Sequence, residues 1–267
     1  MKDILLLIHD DVGQEARLQC ALDIVRAVEG HLQCADVSLR PVLADCSCEG
    51  LGDAILLEAE HSRETANKAK LAQRLEHEDV PWSWVDMIGG FAQCLEDVAT
   101  LADLIIVNRK LDNFPYPDMR KLAADVLLRT DKPILAVPDD ARRFPVDGRA
   151  LVAWDGSPQA AAALRAAVPL LRFAGEVILL EIDDGSADLP AEQAAEYLSH
   201  HDIHPRIVRD FALGNPVATI LLTAVKTQNA DYVVMGAYSH LRSTEALFGG
   251  ATRRLLGESP VPVFLAH

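Results

Sequence analysis

The sequence predicts an α/β protein in which doubly wound, mostly parallel sheets carry helices on both faces. Short runs such as residues 4–8 (ILLLI) and 177–182 (VILLEI) are apolar at nearly every position. Such runs are typical of strands buried on both faces of a parallel sheet. Helical patterns of ten or more residues, such as 54–77 and 216–227, separate them. This alternation implies right-handed crossovers, and about five strands are expected in each half of the chain.

The same order of elements occurs twice in the chain, at an offset of about 130 to 145 residues. Strands that follow an Ala-Asp pair begin at residue 102 in the first half and at residue 230 in the second. The period is too long for a solenoid and suits a duplicated domain of ordinary size. We therefore predict two domains, 1–140 and 148–267, joined by the proline- and charge-rich stretch 139–148.

Composition limits the function classes. The 267 residues are 50% apolar and carry a formal net charge of −15. An acidic surface lacks the cationic patch that nucleic acids and anionic membranes require, so neither is an expected partner. No apolar run approaches the length of a membrane span, and the first apolar run turns acidic at once, unlike a signal peptide. We expect a cytoplasmic protein.

Five cysteines all lie in the first half, which fits a reducing compartment because no paired framework is evident. Cys20 and Cys34 occupy apolar positions of a helix and a strand and are expected in the core. Cys46 and Cys48 form a C-x-C pair that is either a soft-metal or oxidant-sensitive site or an ordinary loop.

A second candidate metal pair is His200 with His204, one helical turn apart. Pro205 follows directly and favours the alternative, a helix end with a polar turn. No metal site is therefore assigned. The chain also lacks the G-x-S-x-G, Walker lysine and H-E-x-x-H motifs, so no catalytic residue is predicted.

The strongest functional signal is the stretch 230–256. An apolar strand ends at Gly236, a polar loop follows, and Gly249 and Gly250 lead into a helical pattern. Amides at a helix N-terminus are unpaired and carry partial positive charge, and glycine lets an anion approach them. Three arginines against one glutamate make residues 236–254 a basic island in an acidic chain. The pattern indicates a phosphate-binding loop.

On these residues the chain resembles a tandem member of the universal stress protein family. Three features carry the resemblance: the WDGS segment at 154–157, the segment GNPVATILLTAV from residue 214, and the glycine loop. The resemblance covers nearly the whole chain and is stronger in the second half. It implies a Rossmann-like fold with two five-stranded sheets, each of strand order 3-2-1-4-5.

Nucleotide-binding members of that family show a glycine, two residues, a glycine, nine residues, and then a glycine with a serine or threonine. Gly236 and Gly249 match this pattern, whereas Ser239 replaces the second glycine and Gly250 replaces the hydroxyl residue. Thr252 either supplies the missing hydroxyl or caps the helix, and the cap is favoured because threonine often serves there.

The resemblance places an adenine-nucleotide site, for ATP with Mg²⁺, where the first and fourth strands of the second half are neighbours. Asp155 would face the base or ribose, and the amide of Ala153 would read the adenine edge. The triphosphate would follow Gly249, Gly250 and Ala251, with Arg242 or Arg253 neutralising it. The full set of candidate ligand-binding residues is Ala153, Asp155, Ser157, Gly236, Ser239, Arg242, Gly249, Gly250, Ala251 and Thr252. The structural alternatives are that Asp155 caps the following helix and that Gly236 only ends a strand.

The first half departs further from the pattern. Asn108 stands in place of the first glycine, and Pro115 and Pro117 remove amides that a phosphate would need. We expect no nucleotide here and a role as a packing partner for the second half. A different pocket lined by His9, Asp10 and Asp11 is the alternative, although such acidic loops are often solvated turns.

The leading hypothesis is a stress-response or regulatory protein with one ATP site in its C-terminal domain. The alternative is a dimerisation or protein-interaction module that binds no nucleotide. In either case the two halves are expected to form an intramolecular pseudo-dimer, and the chain a homodimer. An enzyme is not expected, since no general base stands near the loop, although slow ATP hydrolysis is compatible with the site.

Overall fold

The computed structural model describes residues 1–38, 51–109, 119–183, 189–212, 214–237 and 250–267. At 51–61, 119, 120 and 183 only the backbone is described. The elements in chain order are β1 (Asp3–Ile8), α1 (Gln14–Val28), β2 (His31–Ser38), α2 (Leu51–Leu75), β3 (Trp82–Ile88), α3 (Phe91–Val98), β4 (Leu104–Asn108), α4 (Met119–Thr130), β5 (Ile134–Val137), β6 (Arg149–Trp154), α5 (Pro158–Leu171), β7 (Glu176–Asp183), α6 (Ala191–Ser199), β8 (Arg206–Phe211), α7 (Val217–Thr227), β9 (Tyr232–Gly236), α8 (Gly250–Glu258) and β10 (Val263–Ala266).

The strands form one ten-stranded sheet of order β3-β2-β1-β4-β5-β10-β9-β6-β7-β8. Each half has the expected order 3-2-1-4-5, and the α/β class is confirmed. The expectation of two separate sheets is wrong, because β5 and β10 pair antiparallel with Val263 opposite Ala136. Edge strands expose unpaired backbone groups, and joining the two inner edges satisfies both at once.

The sheet is buried on both faces. Residues 4–8 of β1 are all fully buried, as the continuous apolar run predicts. One apolar cluster joins the sheet to α1 and α5, and the other joins it to α3, α4, α7 and α8. Cys20 and Cys34 lie fully buried in the first cluster, as expected. The outer strands β3 and β8 are the more exposed ones.

The antiparallel junction also sets the direction of the two halves. Within each half the strands are parallel, so their carboxyl ends meet at one edge. Because β5 and β10 run in opposite directions, the carboxyl ends of the strands in the first half lie on the same side of the sheet as the amino ends of the strands in the second half. Any crevice at the β1–β4 switch point therefore lies across the sheet from the crevice at the β6–β9 switch point.

The segment between β5 and β6 is anchored by Phe144, which is 2% exposed. Its ring packs against Tyr232 of β9 with centroids 4.8 Å apart, and its amide donates to Asp23 Oδ2 of α1 at 2.8 Å. Phe144 therefore ties an element of each half to the connection. Within the described part of the chain, no helix is long and apolar enough to cross a membrane.

Replacement of Phe144 by alanine tests this anchor. We expect Phe144→Ala to lower the free energy of unfolding by about 3–5 kcal/mol, because a buried aromatic ring leaves a cavity. Urea denaturation followed by circular dichroism measures the change. Leu101, which is 83% exposed, is the control. Leu101→Ala should shift stability by less than about 0.5 kcal/mol. Equal effects of the two changes would contradict the anchoring role.

Candidate functional site

The candidate site of the second half lies where β6 and β9 part. The parallel pairing of β6 with β9 ends at Val152 opposite Val234. Beyond this pair, β6 continues to Trp154 and β9 to Gly236. The strand ends beyond this pairing form a topological switch point, where open α/β sheets bind ligands. The structure thus brings the Asp155 and Gly236 segments to neighbouring strand ends, as the predicted strand order requires.

Asp155 and Ser157 build the turn that starts α5. Asp155 Oδ1 accepts from the Ser157 amide at 3.0 Å, and Gly156 between them has a φ of 74°. Ser157 Oγ accepts from the Ala160 amide at 3.1 Å and is the N-cap, with Pro158 in the first turn. The alternative that Asp155 caps the helix is therefore wrong. The Asp155 carboxylate orders the turn, and Ser157 Oγ uses one of its lone pairs to cap α5.

Gly236 does more than end a strand, because it lets α5 approach β9. A Cβ at this position would lie 2.4 Å from the Ala160 amide nitrogen and 2.5 Å from the Gln159 carbonyl carbon. Both neighbours are backbone atoms that cannot move aside. Glycine is therefore required here by close packing, and the need is independent of any ligand.

The helix α8 begins at Gly250, which is exposed. A Cβ on Gly250 would meet no heavy atom within 4 Å. Ala251 is half-buried, and Thr252 is 3% exposed. Thr252 is the third residue of the helix and not its N-cap, which corrects the favoured prediction. Three predicted positions, Ser239, Arg242 and Gly249, lie outside the described residues.

The opposite end of α8 is held by the first half. Arg109, the residue after β4, donates from Nη1 to the Leu256 carbonyl oxygen at 2.9 Å. A cation near the last carbonyls of a helix is favourable because it complements the helix dipole. Nearby on the same helix, Arg254 bonds to Thr219 Oγ1 at 2.6 Å and to Glu258. The helix that begins at the candidate phosphate site is thus fixed from both halves.

In the first half, the equivalent crevice is occupied by the protein's own side chains. His9 is fully buried and the Asp11 side chain is 1% exposed, so the expectation of a solvated turn is wrong for both. Arg17 of α1 is fully buried and reaches Asp11 Oδ1 at 2.9 Å. It also donates to the Leu7 carbonyl at 3.0 Å and the His9 carbonyl at 3.2 Å. Asp10 is exposed.

Asn108 and Gly13 show how the two halves diverged. Asn108 ends β4 as Gly236 ends β9, and it donates to Asp11 Oδ1 at 3.4 Å. A Cβ on Gly13 would lie 1.9 Å from Asn108 Nδ2. In the first half, the contact between the end of β4 and α1 therefore has its glycine, Gly13, at the start of the helix. In the second half, the glycine of the equivalent contact is Gly236, on the strand. Asn108 therefore packs against the start of α1 and contacts Asp11.

The helix α2 adds a buried polar layer above this cluster. Glu64, 2% exposed, lies 2.9 Å from His9 Nδ1, which is also 3.1 Å from the Val37 carbonyl oxygen. Because both neighbours are acceptors, Nδ1 carries a hydrogen. Asn67 and Gln14 exchange amide hydrogen bonds at 2.7 and 2.8 Å. These contacts attach α2 to β1, β2 and α1.

Two carboxyl groups in this layer titrate in opposite directions. Burial, together with Glu64 and Asp86 nearby, raises the pKa of Asp36 to about 7. Burial also acts to raise the pKa of Glu64, but hydrogen bonds from His9, the Asp10 amide and Asn67 lower it overall. Glu64 is therefore the ionised member, and Asp36 carries the proton below neutral pH.

The other candidate positions carry no such arrangement. Burial raises the pKa of Cys20 and of Cys34 to about 12, so both are unreactive thiols. The helix α6 ends at Ser199, so His200 and His204 do not share a helical turn. Cys46 and Cys48 lie outside the described residues. Across the described ranges, no three His, Cys, Asp or Glu side chains are grouped to hold a metal ion.

Sequence reasoning missed the residues that fill the first crevice, namely Gly13, Arg17, Glu64 and Asn67. Arg17 left a signal, since it stands among the apolar positions of α1 beside Cys20 and Ala21. A charge within an apolar stripe indicates a buried ion pair. Glu64 and Asn67 left none, because their partners His9 and Gln14 are more than fifty positions away.

A parallel, doubly wound sheet with a glycine-marked switch point defines the class of α/β proteins that bind ligands at the carboxyl ends of strands. Within this chain, residues 148–267 match the sequence model of the universal stress protein family. No curated protein matches the chain. Similarity to solved structures extends over both halves.

Two of these structures cover almost the whole chain. The crystal structure of a universal stress protein from Archaeoglobus fulgidus DSM 4304 is 18% identical, with a TM-score of 0.77. The match covers 99% of this chain and 97% of that one. A functionally unknown protein from Pseudomonas aeruginosa PAO1 is 17% identical, with a TM-score of 0.66, and the match covers 99% and 92%. At these identities the comparison establishes a common fold.

A double-mutant cycle tests the Gly13–Asn108 contact. Gly13 has a φ of −98°, which alanine adopts freely, so Gly13→Ala acts only through the clash. We expect it to cost about 1–3 kcal/mol of unfolding free energy by overpacking. In an Asn108→Gly background the same change should cost at least about 0.5 kcal/mol less, since the clashing side chain is gone.

The control is Gly90→Ala, where the added Cβ meets nothing within 4 Å. It should cost little and show no coupling to Asn108→Gly. Strict additivity of Gly13→Ala and Asn108→Gly in urea denaturation would contradict the contact.

Proposed function

We propose that the chain is a regulatory protein of the universal stress protein type that binds ATP, with Mg²⁺, at the β6–β9 switch point. The observation that carries the proposal is that α8 starts at Gly250, where an added Cβ would meet no heavy atom within 4 Å. The first amides of a helix have no intrahelical partner and carry partial positive charge, which suits a phosphate group. The match of residues 148–267 to the family supports the same location.

The residues present fit such a ligand. Exposed Gly250 and half-buried Ala251 would offer backbone amides to the phosphates, and Asp155 would offer the carboxylate oxygen that does not accept from the Ser157 amide. Mg²⁺ would neutralise phosphate charge when bound. Gly236 keeps α5 close to β9, and Arg109 holds the far end of α8, so the amides are positioned before a ligand arrives.

The first half has a structural role in this proposal. Its crevice contains the Arg17–Asp11 ion pair and Asn108, which replace the open space a nucleotide would need. The antiparallel β5–β10 pair and the α1–α5 and α4–α8 packing then make it the partner of the second half, as a pseudo-dimer within one chain. The nucleotide acts as a ligand that orders the site, and hydrolysis is at most slow.

The second candidate function is a protein-interaction module without nucleotide. The observation that favours it is local use of the predicted ligand groups, since Ser157 caps α5 and Asp155 orders its turn. Isothermal titration with Mg-ATP distinguishes the two functions. Absence of heat together with an unchanged melting temperature would support the module.

The residue Gly250 allows a clean test of the ATP proposal. Because a Cβ there meets nothing, Gly250→Asp should fold normally while adding a negative charge at the phosphate position. We expect Mg-ATP to bind the variant at least about tenfold more weakly, which corresponds to about 1.4 kcal/mol. Isothermal titration measures the affinity.

The matched control is Gly257→Asp, at the other end of the same helix, where an added Cβ also meets nothing within 4 Å. It introduces the same charge and should leave ATP affinity unchanged. Equal binding by wild type and Gly250→Asp would remove the α8 terminus from the ATP site.

A further inference from the structure

The second strand of each half carries a carboxyl group at the same register position. Asp36 of β2 lies opposite Ile8, the last residue of β1. Glu181 of β7 lies opposite Trp154, the last residue of β6. Both side chains are buried, with 5% and 9% of their surface exposed. The two halves therefore allow the surroundings of a buried carboxyl group to be compared at one register position.

Glu181 is fully satisfied as a carboxylate. Its Oε1 accepts from the Ala191 amide at the start of α6 at 2.9 Å, and its Oε2 accepts from Arg209 Nε at 2.7 Å. Arg209 stands directly opposite Glu181 on the outer strand β8. A helix N-terminus and a guanidinium thus both bind this carboxylate, and through it α6 is attached to the sheet.

Asp36 has the opposite surroundings. The residue opposite it on the outer strand β3 is Asp86, a like charge where the other half has an arginine. Its Oδ1 is buried without a hydrogen-bond partner. Among the side chains that the structure describes, the charged and titratable groups that act on it are Glu64 and Lys68 of α2, Asp86 of β3, His9 beyond β1, and the Cys34 thiol of its own strand. Lys68, the one primary amine among them, is already paired with Asp86.

The helix α2 is the element that covers Asp36. It is attached beside Asp36 by Glu64, which bonds to His9, and by Asn67, which bonds to Gln14. Glu64 is ionised and 2% exposed, so a second negative charge at Asp36 would repel it in a poorly solvated space. The neutral acid adds no such charge and keeps a hydroxyl to donate.

We propose that Asp36 makes the attachment of α2 to the first half proton-dependent, so that α2 is held firmly when Asp36 is protonated and is loosened when Asp36 ionises. The first half is then the pH-responsive part of the chain. The second half, with Glu181 paired to Arg209, is not.

The direction of the pH dependence follows from the pKa of Asp36. This pKa is about 7 in the folded protein and returns to its ordinary acidic value when α2 opens. The closed state binds more protons than the open state between these values. Its stability is therefore complete below the ordinary acidic value, declines as pH rises between the two values, and levels off above about 7. For one such group, the opening constant should rise about tenfold between pH 6 and pH 8.

Hydrogen–deuterium exchange of the full chain at pH 6, 7 and 8 tests this inference. Exchange rates are corrected for intrinsic base catalysis, and peptides covering residues 62–75 of α2 are compared with peptides from β6, α5 and β9. We expect about a tenfold fall in the protection of α2 from pH 6 to pH 8, with protection of the second half unchanged. Corrected α2 protection that is constant with pH in the wild type would overturn the inference, whatever the variants do.

Two variants identify the group. Asp36→Asn keeps the size of the side chain and removes its titration, so α2 protection should become independent of pH. Glu181→Gln is the matched control, and the α2 response should persist in it. An unaltered pH response in Asp36→Asn would assign the effect to another group and refute the role of Asp36. If Asp36→Asn does not fold, the Asp36 carboxyl group is titrated by NMR in the wild type. A titration midpoint that coincides with the loss of α2 protection supports the role of Asp36, and a midpoint that differs from it refutes that role.

Discussion

The antiparallel pairing of β5 with β10 is the constraint on which the rest of the architecture depends. Each half alone would have two edge strands with unpaired backbone groups, and the junction joins the two inner edges into one sheet. It also reverses the direction of the second half, which places the two strand-end crevices at opposite edges of the sheet. Helix α8 then runs from one crevice toward the other, so that Arg109 of the first half reaches its last turn. A change at the junction would therefore affect packing and the candidate site together.

Within this frame, equivalent positions of the two halves serve opposite purposes. Where the second half has Gly236 and the start of α8 at Gly250, the first half has Asn108 and a buried Arg17–Asp11 pair. The first crevice is filled by polar groups that hydrogen-bond mainly to each other. A buried ion pair of this kind contributes little net stability by itself but costs much if one partner is removed. The first half thus has a buried polar cluster at the end of β1 and β4.

The comparison of Asp36 with Glu181 extends this divergence to electrostatics. In the second half, the carboxylate at this register position accepts hydrogen bonds from Arg209 and from the Ala191 amide at the start of α6. In the first half, burial together with Glu64 and Asp86 raises the pKa of Asp36. The difference comes from the residue opposite on the outer strand and from the way the covering helix meets the sheet. The same strand order in the two halves therefore carries different polar surroundings at equivalent positions.

The sequence by itself determined the α/β class and the repeated order of elements, because apolar runs and helical periodicity are local signals. The strand order within each half was expected from the resemblance to universal stress proteins and not from those signals. The sequence also located Gly236, Asp155 and Ser157 at strand and helix ends. Tertiary structure alone decided that the two halves form one sheet, that Ser157 and not Asp155 caps α5, and that Thr252 lies inside α8. It also decided that His9 and Asp11 are buried. Their burial depends on Arg17, Glu64 and Asn108, which are brought to them by α1, α2 and β4. Contacts between residues so distant in the chain leave no local pattern, since they arise only when separate elements pack together.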